Sequence, residues 1–397
     1  MIYWLVINSI IRTVSVMLRF FTAGETHGPC LTAIVEGMPS GVRIDIEKIN
    51  TELARRQAGY GRGGRMKIER DRCEILSGVR GGYTLGSPIT LKIENRDWAN
   101  WQDIMGIESS NGEREVTSAR PGHADLSGGM KYAHKDLRNV LERASARETA
   151  ARVAVGALVR QVLEPFGVDF KSRVVRIGEI EDTAAILNNE FYSRVYSSEV
   201  GFGDAEKETL AKEYIDKIKA DGLTVGGVVE TRVTGLVPGI GSYVHYDRKL
   251  DAKIALAVMS IQAIKGVEFG LGFGVGDRLG SEVQDEIVYE GEYRRTSNNA
   301  GGIEGGMTNG EPIIVKAAMK PIPTQYSPLK TVNIKDRSEC KASVERSDVC
   351  AVPACAAVVE SAVAFEVTNA FLEKFGGDCM EDIRANFNSY KSRIEKY

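Results

Sequence analysis

Histidine is scarce in this 397-residue chain, four in all, and net charge is nearly absent, at −3. A balance of 51 basic against 54 acidic side chains lacks the basic excess of a nucleic-acid binder, and no nucleic-acid partner is expected. The six cysteines form no C-x-x-C pair and have no histidine at ligand spacing. We read them as reduced thiols of a cytoplasmic protein without a metal site. Long hydrophobic runs are missing too: the apolar stretch Ile2 to Ile11 is too short to span a bilayer and has no basic leader or cleavage site. Residues 1–16 are expected to be a disordered tail or a misassigned start, with Met17 a second start, and no membrane attachment is expected. No Gly-Lys-Ser/Thr phosphate loop and no G-x-S-x-G elbow occurs, which removes the P-loop and acyl-hydrolase readings. "GLGFGVG" (Gly270 to Gly276) breaks the dinucleotide frame at Val275 and Asp277, and reads as a close-packed strand.

Glycine is what the chain has in excess, 42 residues, enough for many tight turns or close approaches to a ligand. Strand and helix signals mix without a βαβ rhythm, which predicts one α+β domain. "LTAIVEGMPSGV" reads as strand and turn, and "DIEKINTELARRQ" as a helix capped by Asp45. "CEILSGVRGGYTLGSPITLKIEN" reads as a hairpin turning at Gly81-Gly82. A long helix is expected from Ser145 to Phe166, and a second buried one opens at Pro353 and closes at Gly376. Residues 182–220 are charged, helical and weakly patterned, and are expected to form a solvated excursion.

The arginines cluster in glycine-bearing turns. "RRQAGYGRGGRM" sets Arg55, Arg56, Arg62 and Arg65 among Gly59, Gly61, Gly63 and Gly64, which is either a basic surface loop or a clamp for carboxylate and phosphate. Arg120 in "SARPGHAD", and Arg143 with Arg147 in "ERASARETA", favour the clamp; the last two would share a face if helical. Separate arginine turns point to a small, multiply anionic ligand. His27 in "GETHG", beside Glu25, and His123, between Arg120 and Asp125, are candidate general acids for an anionic leaving group. His134 reads as a supporting group and His245 as structural. "RRTSNNAGGIEGGMTNGEPI", "KPIPT" and "ERSDVCAVPA" add loops fit for a phosphate-bearing cofactor.

"GETHG", "GYGRGGRM", "RPGHADLSGGMKY", "RASARETAARVAVG", "NNAGGIEGGMTNGEPI", "KPIPT" and "RSDVCAVPA", in that order, resemble the chorismate synthase family from Met17 to the C-terminus. Thr26 stands where many members carry serine. The resemblance implies a β-α-β sandwich, with helices layered between antiparallel sheets, spanning residues 17–397. It implies anti-1,4-elimination of phosphate from 5-enolpyruvylshikimate 3-phosphate, with reduced FMN required but no net redox change, in a homotetramer. FMN contacts would be Arg143, Ala144, Ser145, Gln262, Ala263, Gly305, Lys320, Pro321, Ile322, Pro323, Thr324 and Arg346. Substrate would meet Arg62, Arg65, Arg120 and Arg147 with Arg56 nearby, Arg56 and Arg62 being alternatively linked to NADPH. His27 would assist phosphate departure, His123 would hold or protonate the flavin, and Asp348 would help relay the N5 proton. Reducing equivalents would come from NADPH or from a separate flavin reductase. A reductase built on the same pocket would instead consume NAD(P)H in step with product. An RNA-binding module would want aromatic platforms beside the arginine loop, where Tyr60 stands alone.

Overall fold

A computed structural model describes residues 18–63, 70–108, 110–186, 189–345 and 348–397. The expectations for residues 1–16 and Met17 lie outside these, as do Arg65 and Arg346. Alternating apolar residues build two antiparallel sheets. The first runs β1-β2-β4-β3, from β1 (Arg19–Ala23), β2 (Cys30–Glu36), β3 (Cys73–Ile75) and β4 (Ile89–Glu94). Leu31, Ala33 and Val35 of β2 and Ile89, Leu91 and Ile93 of β4 are buried, whereas Ile34 of β2 and Phe21 of β1 are exposed, the period of two that strands impose. Gly81 and Gly82 both have positive φ and turn the small hairpin Val79–Arg80/Tyr83–Thr84, as the sequence predicts.

The second sheet runs β8-β9-β7-β5-β6, from β5 (Asp169–Ile177), β6 (Ile180–Glu181), β7 (Gly227–Thr234), β8 (Ile264–Phe269) and β9 (Ile313–Met319). The longer helices are α1 (Ile46–Gln57), α2 (Asp125–Tyr132), α3 (Arg138–Ala144), α4 (Thr149–Val159), α5 (Asn189–Ser197), α6 (Ala205–Ala220), α7 (Leu250–Met259), α8 (Val352–Phe375) and α9 (Met380–Ile394). Helix α4 packs on β2 and β4, and α8 packs on α4, β5 and β7. The helices are therefore layered between the two sheets, and the α+β sandwich expectation holds. The helices meet closely at Gly156, where a Cβ would lie 2.5 Å from the carbonyl oxygen of Ser361. Helix α8 is long and apolar enough to cross a membrane, yet 89% of its most apolar window is buried inside the protein. It begins at the expected proline and ends at Gly376.

Three local expectations change. The helix expected from Ser145 to Phe166 is α-helical only over Thr149–Val159. Ser145 caps in extended conformation, and short 3-10 turns follow Val159 up to Gly167, whose positive φ ends them. Residues 182–220 are not simply solvated: α5 and α6 bury Tyr192, Val195, Ala211 and Ile215, and the segment between them buries Phe202; the helices pack against β5 and β6. "GLGFGVG" is no strand. Gly270 and Gly272 take positive φ past the end of β8, and Gly272–Asp277 forms an exposed 3-10 turn with Phe273 84% exposed.

Candidate active site

The turn between β1 and β2 carries His27, whose ring is buried and stacks on Trp101 with centroids 3.6 Å apart. Its carboxylate neighbour is Glu142 of α3, not the adjacent Glu25 that sequence order suggests: Nδ1 lies 2.8 Å from Glu142 Oε1. The main-chain N–H of His27 donates to Glu142 Oε2 at 2.8 Å, and Arg138 Nη1 donates to Oε1 at 3.2 Å. Arg138 and Arg114 also stand over the Trp101 ring, at 5.2 and 4.3 Å, as cations favour. Burial alone would push the Glu142 carboxyl up, but the His27 contacts and the Arg138 charge hold it below its ordinary value.

His123 sits in a parallel arrangement at the entrance to α2. Its Nδ1 is 2.5 Å from Asp125 Oδ1, and Arg120 grips Asp125 through Nε at 2.8 Å and Nη2 at 3.1 Å. Burial opposes the charge on Asp125, yet the bonds from His123 and Arg120 hold the carboxyl far below the usual carboxylate range. Both candidate acids therefore belong to a histidine–carboxylate–arginine triad. Each carboxylate, being ionised, can only accept, so each ring must donate from Nδ1.

Hydrogen bonds join the two triads through the residues assigned to flavin. Arg143, next to Glu142, donates to the Thr22 carbonyl at 2.8 Å and hydroxyl at 2.7 Å, and the Thr22 hydroxyl donates to Glu148 at 2.8 Å. Gln262 Nε2 donates to Glu148 at 3.3 Å, and Ala263 accepts the Lys320 main-chain N–H at 3.0 Å. Lys320 Nζ reaches the Gly122 carbonyl, and Arg120 Nη1 donates to the Thr324 hydroxyl at 3.1 Å. Ala144 and Ser145 end α3 here, and Thr224 donates to the Ile322 carbonyl between Pro321 and Pro323. Two features fit a polar ligand in this pocket. Gln262 Oε1 is buried without a hydrogen-bond partner among the described residues, and Ala263 holds a left-handed φ of 70°, a conformation non-glycine residues keep only when the surroundings impose it. Gly305 stands apart. Its turn bonds the first residue of α7 through the Gly306 carbonyl, whereas Gln262 follows the far end of that helix.

The third group lies beneath the His27 turn. Asp71 takes Arg147 Nη1 on both oxygens at 2.7 Å and Arg56 Nη1 at 3.5 Å. Asn95 accepts from Arg147 at 2.7 and 2.9 Å and donates to the Gly28 carbonyl at 2.7 Å. Arg143 and Arg147 do not share a helix face, because the chain leaves helical conformation at Ser145. Burial, with the nearby charges of Arg147 and Arg62, pushes the Arg56 guanidinium down to about 9 despite Asp71. Arg62 pairs with Asp348 at 3.2 Å, and Asp348 also accepts the Gly63 N–H at 2.6 Å. This glycine loop lies tight against α8: Gly59 and Gly61 have positive φ, and a Cβ on Gly59 would come 2.9 Å from Pro353. His134 stays outside the cluster, with its ring 3.5 Å from Asn139 Nδ2 and partly exposed, and His245 is exposed beside Asp247. A crevice of about 710 Å³ borders the site at Pro29 and Trp98, but its charged lining is Asp103 and Glu108, the wrong sign for an anion. Sequence reasoning missed Glu142, Asp71, Asn95, Glu148 and Trp101.

Residues 18–372 match the family model described as chorismate synthase. Among curated relatives, the chorismate synthase of Geobacter sulfurreducens is 55% identical over 393 residues, covering 96% of this chain and all of its own. That of Desulforamulus reducens is 55% identical over 386 residues, with 96% and 100% covered. A crystal structure of chorismate synthase superposes with a TM-score of 0.78 at 44% identity, covering 96% of this chain and 100% of its own.

Proposed function

The chain belongs to the chorismate synthase family and makes chorismate in the shikimate pathway by eliminating phosphate from 5-enolpyruvylshikimate 3-phosphate; from that premise we propose that it does so with reduced FMN. The observation that carries the flavin reading is the buried, unpaired Gln262 Oε1, an acceptor aligned along the same hydrogen-bonded path as Arg143, Ala263 and Lys320. FMN would be held by Arg143, Ala144, Ser145, Gln262, Ala263 and the Lys320–Thr324 loop, with Arg346 and Gly305 as further candidates. Bound and reduced, it supplies electron density toward the breaking C–O bond and an acceptor for the ring proton. The substrate carries one phosphate and two carboxylates, chemistry suited to Arg62, Arg65, Arg120 and Arg147, with Arg56 sharing Asp71 with Arg147.

His27 acts as the acid that neutralises the departing phosphate, where fixed charges of opposite sign lower the barrier most. His123, steadied by Asp125, donates toward the flavin, and Asp348, paired with Arg62, helps carry the released proton. Arg56 and Arg62 would hold NADPH if the chain reduces its own flavin, and a separate reductase would otherwise supply the reducing equivalents; the protein works as a cytoplasmic homotetramer. The test is anaerobic. With pre-reduced FMN and 5-enolpyruvylshikimate 3-phosphate, chorismate and phosphate form one to one without consuming NADPH. No chorismate, or NADPH oxidised in step with product, overturns the reading. His27→Ala and His123→Ala each lose roughly 100-fold or more in turnover, the scale of general acid catalysis.

A further inference from the structure

We propose that Glu142 is a positioning residue for the elimination: it keeps a proton on Nδ1 of His27 in either charge state of the ring, so that Nε2 is the atom that gives its proton to the leaving phosphate. The inference rests on the reading of His27 as the acid.

Three donors converge on the two Glu142 oxygens. Nδ1 of His27 lies 2.8 Å from Oε1 and 3.1 Å from Oε2, the His27 N–H lies 2.8 Å from Oε2, and Arg138 Nη1 lies 3.2 Å from Oε1. Only an ionised carboxylate accepts on both arms. The side chain is 1% exposed, and its contacts with His27 and Arg138 outweigh burial in keeping it charged. It therefore has no proton to return to Nδ1. The ring is also held in orientation: it stacks on Trp101 at 19° between planes, and the Thr26 N–H and hydroxyl both donate to the Glu142 carbonyl, at 3.0 and 2.8 Å. The His27 turn is thus laced to α3 at main chain and side chain together.

In the step itself the C–O bond breaks with its electron pair on the phosphate oxygen, which takes the Nε2 proton. The ring C–H pair closes the new double bond and its proton is released, so that phosphate plus one proton leave in sum. His27, cationic before the step, is left neutral with Nδ1–H still directed at Glu142, and Nε2 takes a fresh proton from solvent. Glutamine at 142 has nearly the same shape but one arm becomes an N–H2 facing a donor. Either it faces the His27 N–H, leaving a clash, or it faces Nδ1 and drives the proton to Nε2. The analogous acid-to-amide change beside a catalytic histidine, which leaves geometry intact and fixes the wrong tautomer, costs about 10⁴ in kcat.

The test uses full-length protein labelled with ¹⁵N-histidine, whose four imidazoles give a small spectrum; His27 is assigned by its loss in His27→Gln. Neutral His27 should appear as the Nδ1–H tautomer in the wild type. In Glu142→Gln the Nε2–H tautomer should appear, with kcat down roughly 100-fold or more and substrate KM changed by less than about threefold. Glu142→Asp, which keeps the charge, should recover at least about tenfold over the glutamine variant. An Nε2–H tautomer in the wild type overturns the proposal whether or not any variant folds, and so does a folded Glu142→Gln with wild-type kcat. Wild-type turnover in His27→Gln would instead overturn the acid reading, which the tautomer spectrum does not touch.

Discussion

Replacing Asp71 with asparagine takes the charge from a carboxylate whose side chain is 0% exposed and leaves two guanidiniums, Arg147 at 4% and Arg56 at 6% exposure, without their acid. Removing one partner of a buried ion pair costs about 3–5 kcal/mol, because the remaining charge stays desolvated. Asparagine keeps one acceptor for Arg147 but turns an N–H2 toward the other contact, so we expect the full range to apply. An unfolding entropy of roughly 2.1 cal/mol/K per residue gives this chain about 0.8 kcal/mol per degree, and thus a drop of about 4–6 °C in Tm. Differential scanning calorimetry of wild type and Asp71→Asn measures it. Inorganic phosphate at millimolar concentration should recover part of the loss in the variant and raise the wild type less, since the variant has two cations in want of an anion. A Tm within about 1 °C of wild type, the effect of an ordinary surface pair, would refute the claim that Asp71 neutralises this pocket.

Burial, opposed by Lys253 and Asn369, pushes the Glu366 carboxyl of α8 up to about 7. Between the ordinary carboxylate value and 7, the folded state keeps a proton that the unfolded chain has released, so this group lowers stability as pH rises through that window. Glu366→Gln should therefore melt higher than wild type at pH 8, by on the order of 1–3 kcal/mol, and match wild type at pH 4; equal shifts at both pH values would contradict the assignment. Gln262→Met should weaken FMN binding about tenfold, the worth of one hydrogen bond in a closed site; fluorescence titration reads the affinity, and an unaltered one would remove Gln262 from the flavin site. Gly156→Ala should cost about 1–3 kcal/mol by overpacking, while Gly274→Ala, whose Cβ meets nothing within 4 Å, should stay within about 0.5 kcal/mol in urea unfolding.

Local signals carried the reading far, and their limit is visible at particular residues. Asp125 lies two positions from His123, and the pair is evident in "HAD". Glu142 is 115 positions from His27, and Asp71 is 76 from Arg147, so neither leaves a mark on the segment it serves. The arginine turns were legible as cations but not as cations already held by acids, because a buried partner is a property of the fold. The same holds for residues 182–220, which read as helical but not as buried, because the sheet edge that covers Ala211 and Ile215 comes from other parts of the chain. In "GLGFGVG" the glycines signalled tight backbone correctly, but positive φ at Gly270 turns the chain away from the sheet.

Asn95 is 2% exposed and faces opposite demands at its two ends, an arginine that needs an acceptor and a carbonyl that needs a donor. Aspartate would meet the first and repel the second; leucine would meet neither; glutamine would overreach a pocket cut for a shorter chain. Mutational drift at this position has nowhere to go without a compensating change at Arg147 or in the turn that presents His27. Lineages that differ widely elsewhere should therefore keep the amide, and one that has lost it should have changed both neighbours with it.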